Sequence, residues 1–137
     1  MSDIQQGFKP AQFHGIFLEQ NGPFYVKKTD ACWLVGLSIE EHHANYLAIA
    51  HGGVISTLSD VALSLQPFYS EKPNPTVTTT SLTTNFIAPA KVGDWLVAET
   101  QIDHMGKREA HVSGKIFRDD VILATMSGVF NIFRGKS

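Results

Sequence analysis

The chain has 137 residues, of which 43% are hydrophobic and 18% are charged, a composition typical of one globular domain with one core. The formal net charge is -2 and long runs of Lys and Arg are absent, which argues against a nucleic-acid partner held by phosphate neutralisation. We find no internal repeat and no low-complexity linker, so a single domain is predicted over residues 1–137.

The cysteine content and the apolar runs bear on where the protein works. Cys32 is the single cysteine, so an internal disulfide is impossible, and its apolar neighbours predict a buried, inert thiol. The first residues lack the basic region and apolar stretch of a signal peptide, and no apolar run approaches the roughly 20 residues of a membrane span. These features predict a cytoplasmic protein without a membrane partner.

The first predicted elements are a short helix and two strands. Apolar residues over positions 9–20 predict an amphipathic helix, which the Asn-Gly-Pro sequence at 21–23 would end. Residues 24–28 and 32–39 are predicted strands, separated by a turn. A polar, loop-like segment follows over residues 40–50.

A second and longer helix is predicted to begin at Gly52. Its apolar residues recur at spacings of three and four around most of its circumference, and Pro67 is predicted to close it. Almost everything after the helix has the β-branched or alternating pattern of strands, which we predict at residues 76–87, 95–102, 110–117 and 121–133.

Together these elements predict an α+β fold. The last three strands are joined by short turns, which favours an antiparallel meander. One long helix among five to six antiparallel strands is covered most simply by a curved sheet that wraps around it, and the short N-terminal helix is additional to this core.

Two features of the long helix could carry chemistry. His51, Gly52 and Gly53 lie at its start, where free backbone N–H groups and the helix dipole suit a developing oxyanion, although a plain helix start with flexible glycines fits equally well. Asp60 lies in the third turn among apolar neighbours, where a partly desolvated carboxylate would be a good general base. An exposed polar position explains Asp60 about as well.

The length of the helix relates these two features to each other. Gly52 and Asp60 are eight residues apart in the sequence, which is roughly 12 Å along a helix that rises about 1.5 Å per residue. One reacting carbonyl cannot contact both groups within a single subunit. If both groups act on one substrate, they must come from different chains, which predicts a dimer with two equivalent sites across an isologous interface.

The segment from His43 to Asp60 resembles the active-site signature of hotdog-fold acyl-CoA thioesterases of the phenylacetyl-CoA and hydroxybenzoyl-CoA type. His43, Asn45 and the His-Gly-Gly sequence at 51–53 stand at the family's spacings, and Asp60 is the acidic residue that follows them in the helix. The resemblance extends over about residues 37–133. It implies the hotdog fold, in which a curved antiparallel sheet wraps around one long central helix.

The resemblance also implies catalytic roles. The N–H of Gly52 and the side chain of Asn45 would polarise the thioester carbonyl, while Asp60 from the partner chain would activate water or attack directly. Thr79 matches a Ser/Thr position that helps hold the water, although β propensity alone also explains a threonine there. His51 would lie near the leaving sulfur, or would only cap the helix.

Other positions are candidates for substrate binding. Gly53 would leave room for the ligand, and Lys107 and Arg108 would meet the CoA phosphates, although solvated charge is the commoner role of such residues. Tyr46 and Ala48 stand where the family often has Pro and Gly. We expect Tyr46 to line the pocket entrance, and we expect the loop to run differently at Ala48 because Ala disfavours left-handed backbone.

The sequence therefore predicts an acyl-CoA thioesterase that acts on an aromatic or medium-chain acyl group. It would work as a homodimer or a dimer of dimers, without a cofactor and without a metal, because His42, His43 and His51 match no common zinc-ligand spacing. The alternatives are a non-catalytic acyl-CoA-binding or regulatory hotdog module and a hotdog hydratase or dehydratase. Asp60 favours the thioesterase, since a binding module would not need a carboxylate there.

Overall fold

The computed structural model describes residues 5–135, which form an antiparallel sheet around one long helix. The helices are α1 (Ile16–Asn21) and α2 (Gly52–Tyr69), with a short 3-10 helix at Glu41–His43 between them. The strands are β1 (Lys9–Pro10), β2 (Phe24–Lys28), β3 (Trp33–Ser38), β4 (Thr76–Phe86), β5 (Trp95–Met105), β6 (Glu109–Arg118) and β7 (Val121–Phe133). Their spatial order is β1-β2-β3-β5-β6-β7-β4, which confirms the predicted hotdog arrangement.

The core lies between α2 and the inner face of the sheet. α2 contacts every strand from β3 to β7, which is why apolar residues occur around most of its circumference. Leu58 and Leu63 of the helix are fully buried, as are Leu96 and Phe130 on the facing strands. Each such side chain contributes roughly 1.5–3 kcal/mol by leaving water. The predicted burial of Cys32 is also confirmed, since its exposed fraction is 8%.

The N-terminal segment differs from the predicted helix over residues 9–20. Only α1 is helical, and Lys9 and Pro10 instead pair with Val26 and Tyr25 as the two-residue strand β1. Proline lacks the N–H that a helix interior needs, and Gly15 adopts a positive φ of 109° immediately before α1. This added edge strand gives the sheet seven strands instead of the five to six predicted.

The C-terminal end of α2 also differs from the prediction. Pro67 was predicted to close the helix, but it lies inside the last turn and the helix continues to Tyr69. The helix ends at Ser70, whose N–H and hydroxyl both donate to the Pro67 carbonyl. Asn74 donates to the carbonyl of Phe68 and so closes the end further. Neither α2 nor any other helix among residues 5–135 is long and apolar enough to cross a membrane.

Strand β4 forms one edge of the sheet. It is 11 residues long and pairs with β7 on one side, with a bulge between Thr79 and Ser81. Within residues 5–135, its other side has no strand partner. A long edge with unpaired backbone groups is a ready template for pairing with another chain.

Candidate active site

The start of α2 is exposed and leaves one backbone donor without an acceptor. His51 is the N-cap residue, and its Nδ1 accepts a hydrogen bond of 2.9 Å from the Gly53 N–H. The next two amides turn back to the His51 carbonyl. The Gly52 N–H has no acceptor within residues 5–135, and a side chain at Gly52 would meet only the Phe86 ring within 4 Å. The Gly52 amide is therefore open to a ligand.

This geometry distinguishes between the predicted roles of the His-Gly-Gly sequence. His51 performs the capping role that the sequence left open, and its closeness to a leaving sulfur stays a prediction. The Gly53 amide is engaged by the cap, and a side chain at Gly53 would approach the His51 Nδ1 to 3.1 Å. Gly53 can therefore contribute only the space that its missing side chain leaves for a ligand. Gly52 can contribute its N–H as a hydrogen-bond donor.

Asp60 and Thr79 meet between the third turn of α2 and the edge strand β4. The Thr79 hydroxyl donates to Oδ1 of Asp60 over 2.6 Å, a length typical of a hydroxyl bonded to a carboxylate. Asp60 is partly buried, while Thr79 remains exposed. The bond holds Oδ1 of Asp60 against the strand, whereas Oδ2 of Asp60 receives no hydrogen bond from Thr79.

A cavity of about 520 Å³ opens at this pair. Its other walls are mainly apolar and come from three elements: Phe17 and Leu18 of α1, Val61 and Ser64 of α2, and Leu82 of β4. A carboxylate on the wall of an apolar cavity of this size is the arrangement of a small-molecule site with one reactive group.

Asn45 is fixed by a local turn before α2. Its Oδ1 accepts from the Leu47 N–H at 2.9 Å and more weakly from the Ile49 N–H at 3.4 Å. These bonds occupy Oδ1 of Asn45 with loop amides, so the NH2 group of its side chain remains the available donor. Ala48 adopts a φ of 62° in this loop, so the expectation that alanine would avoid left-handed backbone here is wrong.

The remaining predicted residues lie away from the Asp60 cavity. Tyr46, in the same loop as Asn45, is 94% exposed, and Lys107 and Arg108 are exposed in the turn between β5 and β6. None of these residues lines the cavity, and neither does Gly52. Within residues 5–135 we also find no group of three or more His, Cys, Asp or Glu side chains placed to hold a metal ion. Within one chain, the helix start with Gly52 and the cavity with Asp60 are therefore two separate parts of the predicted site.

The family model described as the Thioesterase superfamily matches residues 42–125, which is more than half of the chain and includes both the helix start and Asp60. The chain belongs to the thioesterase superfamily. It is a thioester hydrolase, so the prediction of an enzyme is confirmed.

Relatives of this thioesterase cover different shares of its length. A provisionally named esterase of Pseudomonas aeruginosa, PA0474, is 35% identical over 133 residues, which cover 96% of this chain and 99% of that protein. Acyl-coenzyme A thioesterase 13 of Mus musculus is 31% identical over 77 residues, or 56% of this chain and 54% of the mouse protein. The crystal structure of the BH2602 protein from Bacillus halodurans with CoA has a TM-score of 0.73 and 26% identity, covering 81% of this chain and 74% of that one.

His43 of the thioesterase motif ties the site loop to α1. The ring is 1% exposed and uses both nitrogens: Nδ1 accepts from the Glu40 N–H at 2.9 Å, and Nε2 donates to the Asn21 carbonyl at 2.7 Å. The neighbouring His42 likewise bonds the Gly22 carbonyl at 2.8 Å. The backbone carbonyl of His43 accepts from the His51 N–H, so the same residue also reaches the helix cap.

Burial holds the pKa of His43 below its usual value of 6.5. The nearby His42 lowers this pKa further, and the bond to the Asn21 carbonyl and the charge of Glu40 offset the effect only in part. A second proton would have to occupy Nδ1, which already accepts from the Glu40 amide. The folded thioesterase therefore favours the neutral ring with its proton on Nε2.

Sequence reasoning missed several residues that line the cavity. Ser56, Thr57 and Ser64 stand four before, three before and four after Asp60, so helical spacing alone would have placed them on its face of α2. Thr57 and Ser64 donate their hydroxyl protons to carbonyls of the preceding turn. Phe17 and Leu18 carry no such signal, because they approach Asp60 only through the tertiary fold.

The left-handed backbone at Ala48 leads to a stability prediction. An L-residue in this conformation costs roughly 1–2 kcal/mol, and the extra chain freedom of glycine in the unfolded state offsets part of the gain from removing that cost. We expect Ala48→Gly to raise the free energy of unfolding by about 0.5–1 kcal/mol, measured by urea denaturation. The matched control is Ala44→Gly, at an extended φ of −89°, which should lower it. Equal or lower stability of Ala48→Gly would contradict this account.

The lowered pKa of His43 leads to a prediction about pH. The unfolded chain binds a proton at higher pH than the folded chain, so the stability that neutral His43 provides is complete above about pH 6.5 and is lost as the pH falls toward the folded-state pKa. We expect the free energy of unfolding of the wild type, measured by urea denaturation from about pH 5 to 8, to fall more steeply below pH 6.5 than that of His43→Gln. Parallel curves for wild type and His43→Gln would refute the assignment.

Proposed function

We propose that this thioesterase hydrolyses an aromatic or medium-chain acyl-CoA to the free acid and CoA, in a site shared by two copies of the chain. The observation that carries the proposal is the hydrogen-bonded pair of Asp60 and Thr79 on the wall of an apolar cavity. The pair offers a positioned carboxylate, and the cavity offers a place for an apolar acyl group.

Two relatives support CoA as the carrier of the acyl group. The mouse relative is named an acyl-coenzyme A thioesterase, and the Bacillus halodurans protein was crystallised with CoA. We propose that Lys107 and Arg108, exposed in the turn between β5 and β6, meet the CoA phosphates, and that Tyr46 lines the entrance. A reducing cytoplasm stays our prediction for the place of action, since Cys32 is a single buried thiol.

The oxyanion donors would be the Gly52 N–H and the NH2 group of Asn45. His51 occupies the Gly53 amide, and the loop amides occupy Oδ1 of Asn45, so the two proposed donors are the groups that local structure leaves available. Preorganised donors of this kind stabilise a developing oxyanion because they need no reorganisation during the reaction.

The shared site follows from distance and from the open edge of β4. Gly52 and Asp60 are roughly 12 Å apart along α2, so both can reach one carbonyl only if they come from different chains. Antiparallel pairing of β4 with β4 of a second copy would continue the sheet and give a two-fold interface beside Thr79. Such a dimer would carry two equivalent sites, and a dimer of dimers would keep them.

The chemical step can follow either of two routes. With Asp60 as general base, the water oxygen bonds to the carbonyl carbon while Asp60 takes a proton from that water. The intermediate then releases the CoA thiolate as the C–S bond breaks, and the proton on Asp60 passes to sulfur. With Asp60 as nucleophile, its oxygen forms a mixed anhydride as the thiolate leaves, and water then hydrolyses that anhydride.

The first test of this proposal is the substitution Asp60→Asn. It removes the base and nucleophile but keeps the size of the side chain and an oxygen that can accept from Thr79. We expect an unchanged fold and oligomer, and a fall in kcat of at least about 100-fold, measured as free thiol released from a panel of acyl-CoAs. Asp103→Asn, on the exposed part of β5, is the matched control and should keep full turnover. Wild-type turnover by Asp60→Asn would disprove the role of the carboxylate.

The second test asks whether the site is shared. We expect Asp60→Asn and Asn45→Ala each to lose most turnover, since loss of one oxyanion donor costs about 10²–10³ in kcat. After denaturation and refolding of an equal mixture, half of the dimers would be mixed, and each would contain one intact site. Activity should then return to about a quarter of the wild-type value. Recovery would be absent if both residues served the same site from one chain.

A further inference from the structure

We infer that α1 limits the length of the acyl group, and that Phe17 is the side chain its far end meets. This inference rests on the proposed function, because it assigns the part of the Asp60 cavity that accepts the hydrocarbon. Phe17 belongs neither to the motif nor to the sheet, and it reaches the site because α1 borders the same cavity as Asp60.

The exposure of α1 is unusual for its composition. None of the six residues of the helix is buried, although two of them are large and apolar: Ile16 is 70% exposed and Phe17 is 63% exposed. Only one of these two large apolar side chains faces the site: Phe17 lines the cavity of Asp60, whereas Ile16 does not. An apolar acyl group against Phe17 would bury surface that the chain alone leaves in water.

Although α1 is exposed, its C-terminal end is held by several hydrogen bonds. The Asn21 Nδ2 donates to the Phe17 carbonyl at 2.7 Å, and the Gly22 N–H donates to the Leu18 carbonyl at 3.0 Å. The carbonyls of Asn21 and Gly22 in turn bond to the rings of His43 and His42. Leu18 packs against the hydrophobic core. Phe17 is therefore carried by a braced helix and can act as a wall of defined position.

The chemistry of the cavity matches a hydrocarbon. Apart from Asp60, Thr79 and helix hydroxyls, its walls are Phe17, Leu18, Val61 and Leu82. The acidic Asp60 disfavours a phosphate or carboxylate in the same space. A thioester carbonyl within reach of Asp60 would direct its acyl chain along these apolar side chains. Each methylene buried there contributes about fourfold to kcat/KM, until the chain reaches the wall.

The experiment compares kcat/KM for straight-chain acyl-CoAs from butanoyl to hexadecanoyl in the wild type, Phe17→Ala, Phe17→Trp and the matched control Ile16→Ala. Removing the Phe17 ring makes room for about two further methylenes, so Phe17→Ala should raise the ratio of kcat/KM for dodecanoyl-CoA over hexanoyl-CoA by about 15-fold. Phe17→Trp should lower this ratio, and Ile16→Ala should leave it at the wild-type value.

The possible outcomes separate the inference from the proposed function. A wild type that hydrolyses no acyl-CoA would overturn the proposed function itself. An active wild type whose chain-length profile shifts equally in Phe17→Ala and Ile16→Ala would overturn the inference and leave the proposed function standing. Circular dichroism checks folding, and Phe17→Leu, which retains an apolar side chain, should give a smaller shift in the same direction if the alanine variant is unstable.

Discussion

The rise of α2 sets the distance between its exposed first amide and the Asp60 carboxylate, and five strands of the sheet pack against the helix. An exposed amide at the first residue and a carboxylate in the third turn are roughly 12 Å apart, and neither can move toward the other while the helix is buried against five strands. Thr79 lies on the edge strand β4, so its hydrogen bond to Asp60 is beside a sheet edge that has no strand partner within residues 5–135. The shared site that we propose depends on this fixed separation.

Local hydrogen bonding determines which polar groups remain available to a substrate. The His51 cap takes the Gly53 amide, the loop before α2 takes Oδ1 of Asn45, and Thr79 takes one oxygen of Asp60. Each of these bonds lowers the number of groups that could bind a ligand and fixes the orientation of those that remain. A few residues therefore suffice to form the site, because hydrogen bonds from their neighbours already restrict the conformations of their side chains.

The fold was predictable where periodicity was strong. The helix from Gly52 and the later strands follow directly from apolar spacing, whereas the ends of elements at Pro10, Gly15 and Pro67 depended on backbone geometry that spacing does not contain. Thr79 was singled out only through the resemblance, because a single hydroxyl in a threonine-rich strand has no signal of its own. Phe17 was unpredictable for a different reason, since only the tertiary fold brings it to the same cavity as Asp60, which is far from it in the chain.

The position of α1 in the sequence has a consequence for how the proposed acyl pocket of this chain would change by mutation. The family model matches residues 42–125, and α1 at Ile16–Asn21 lies before that region, joined to it through the rings of His42 and His43. Phe17 and Leu18, which line the cavity, are thus separate in the sequence from the segment that carries Asp60. If α1 limits the acyl chain as inferred above, substitutions in α1 would change the range of substrates without altering the residues around Asp60.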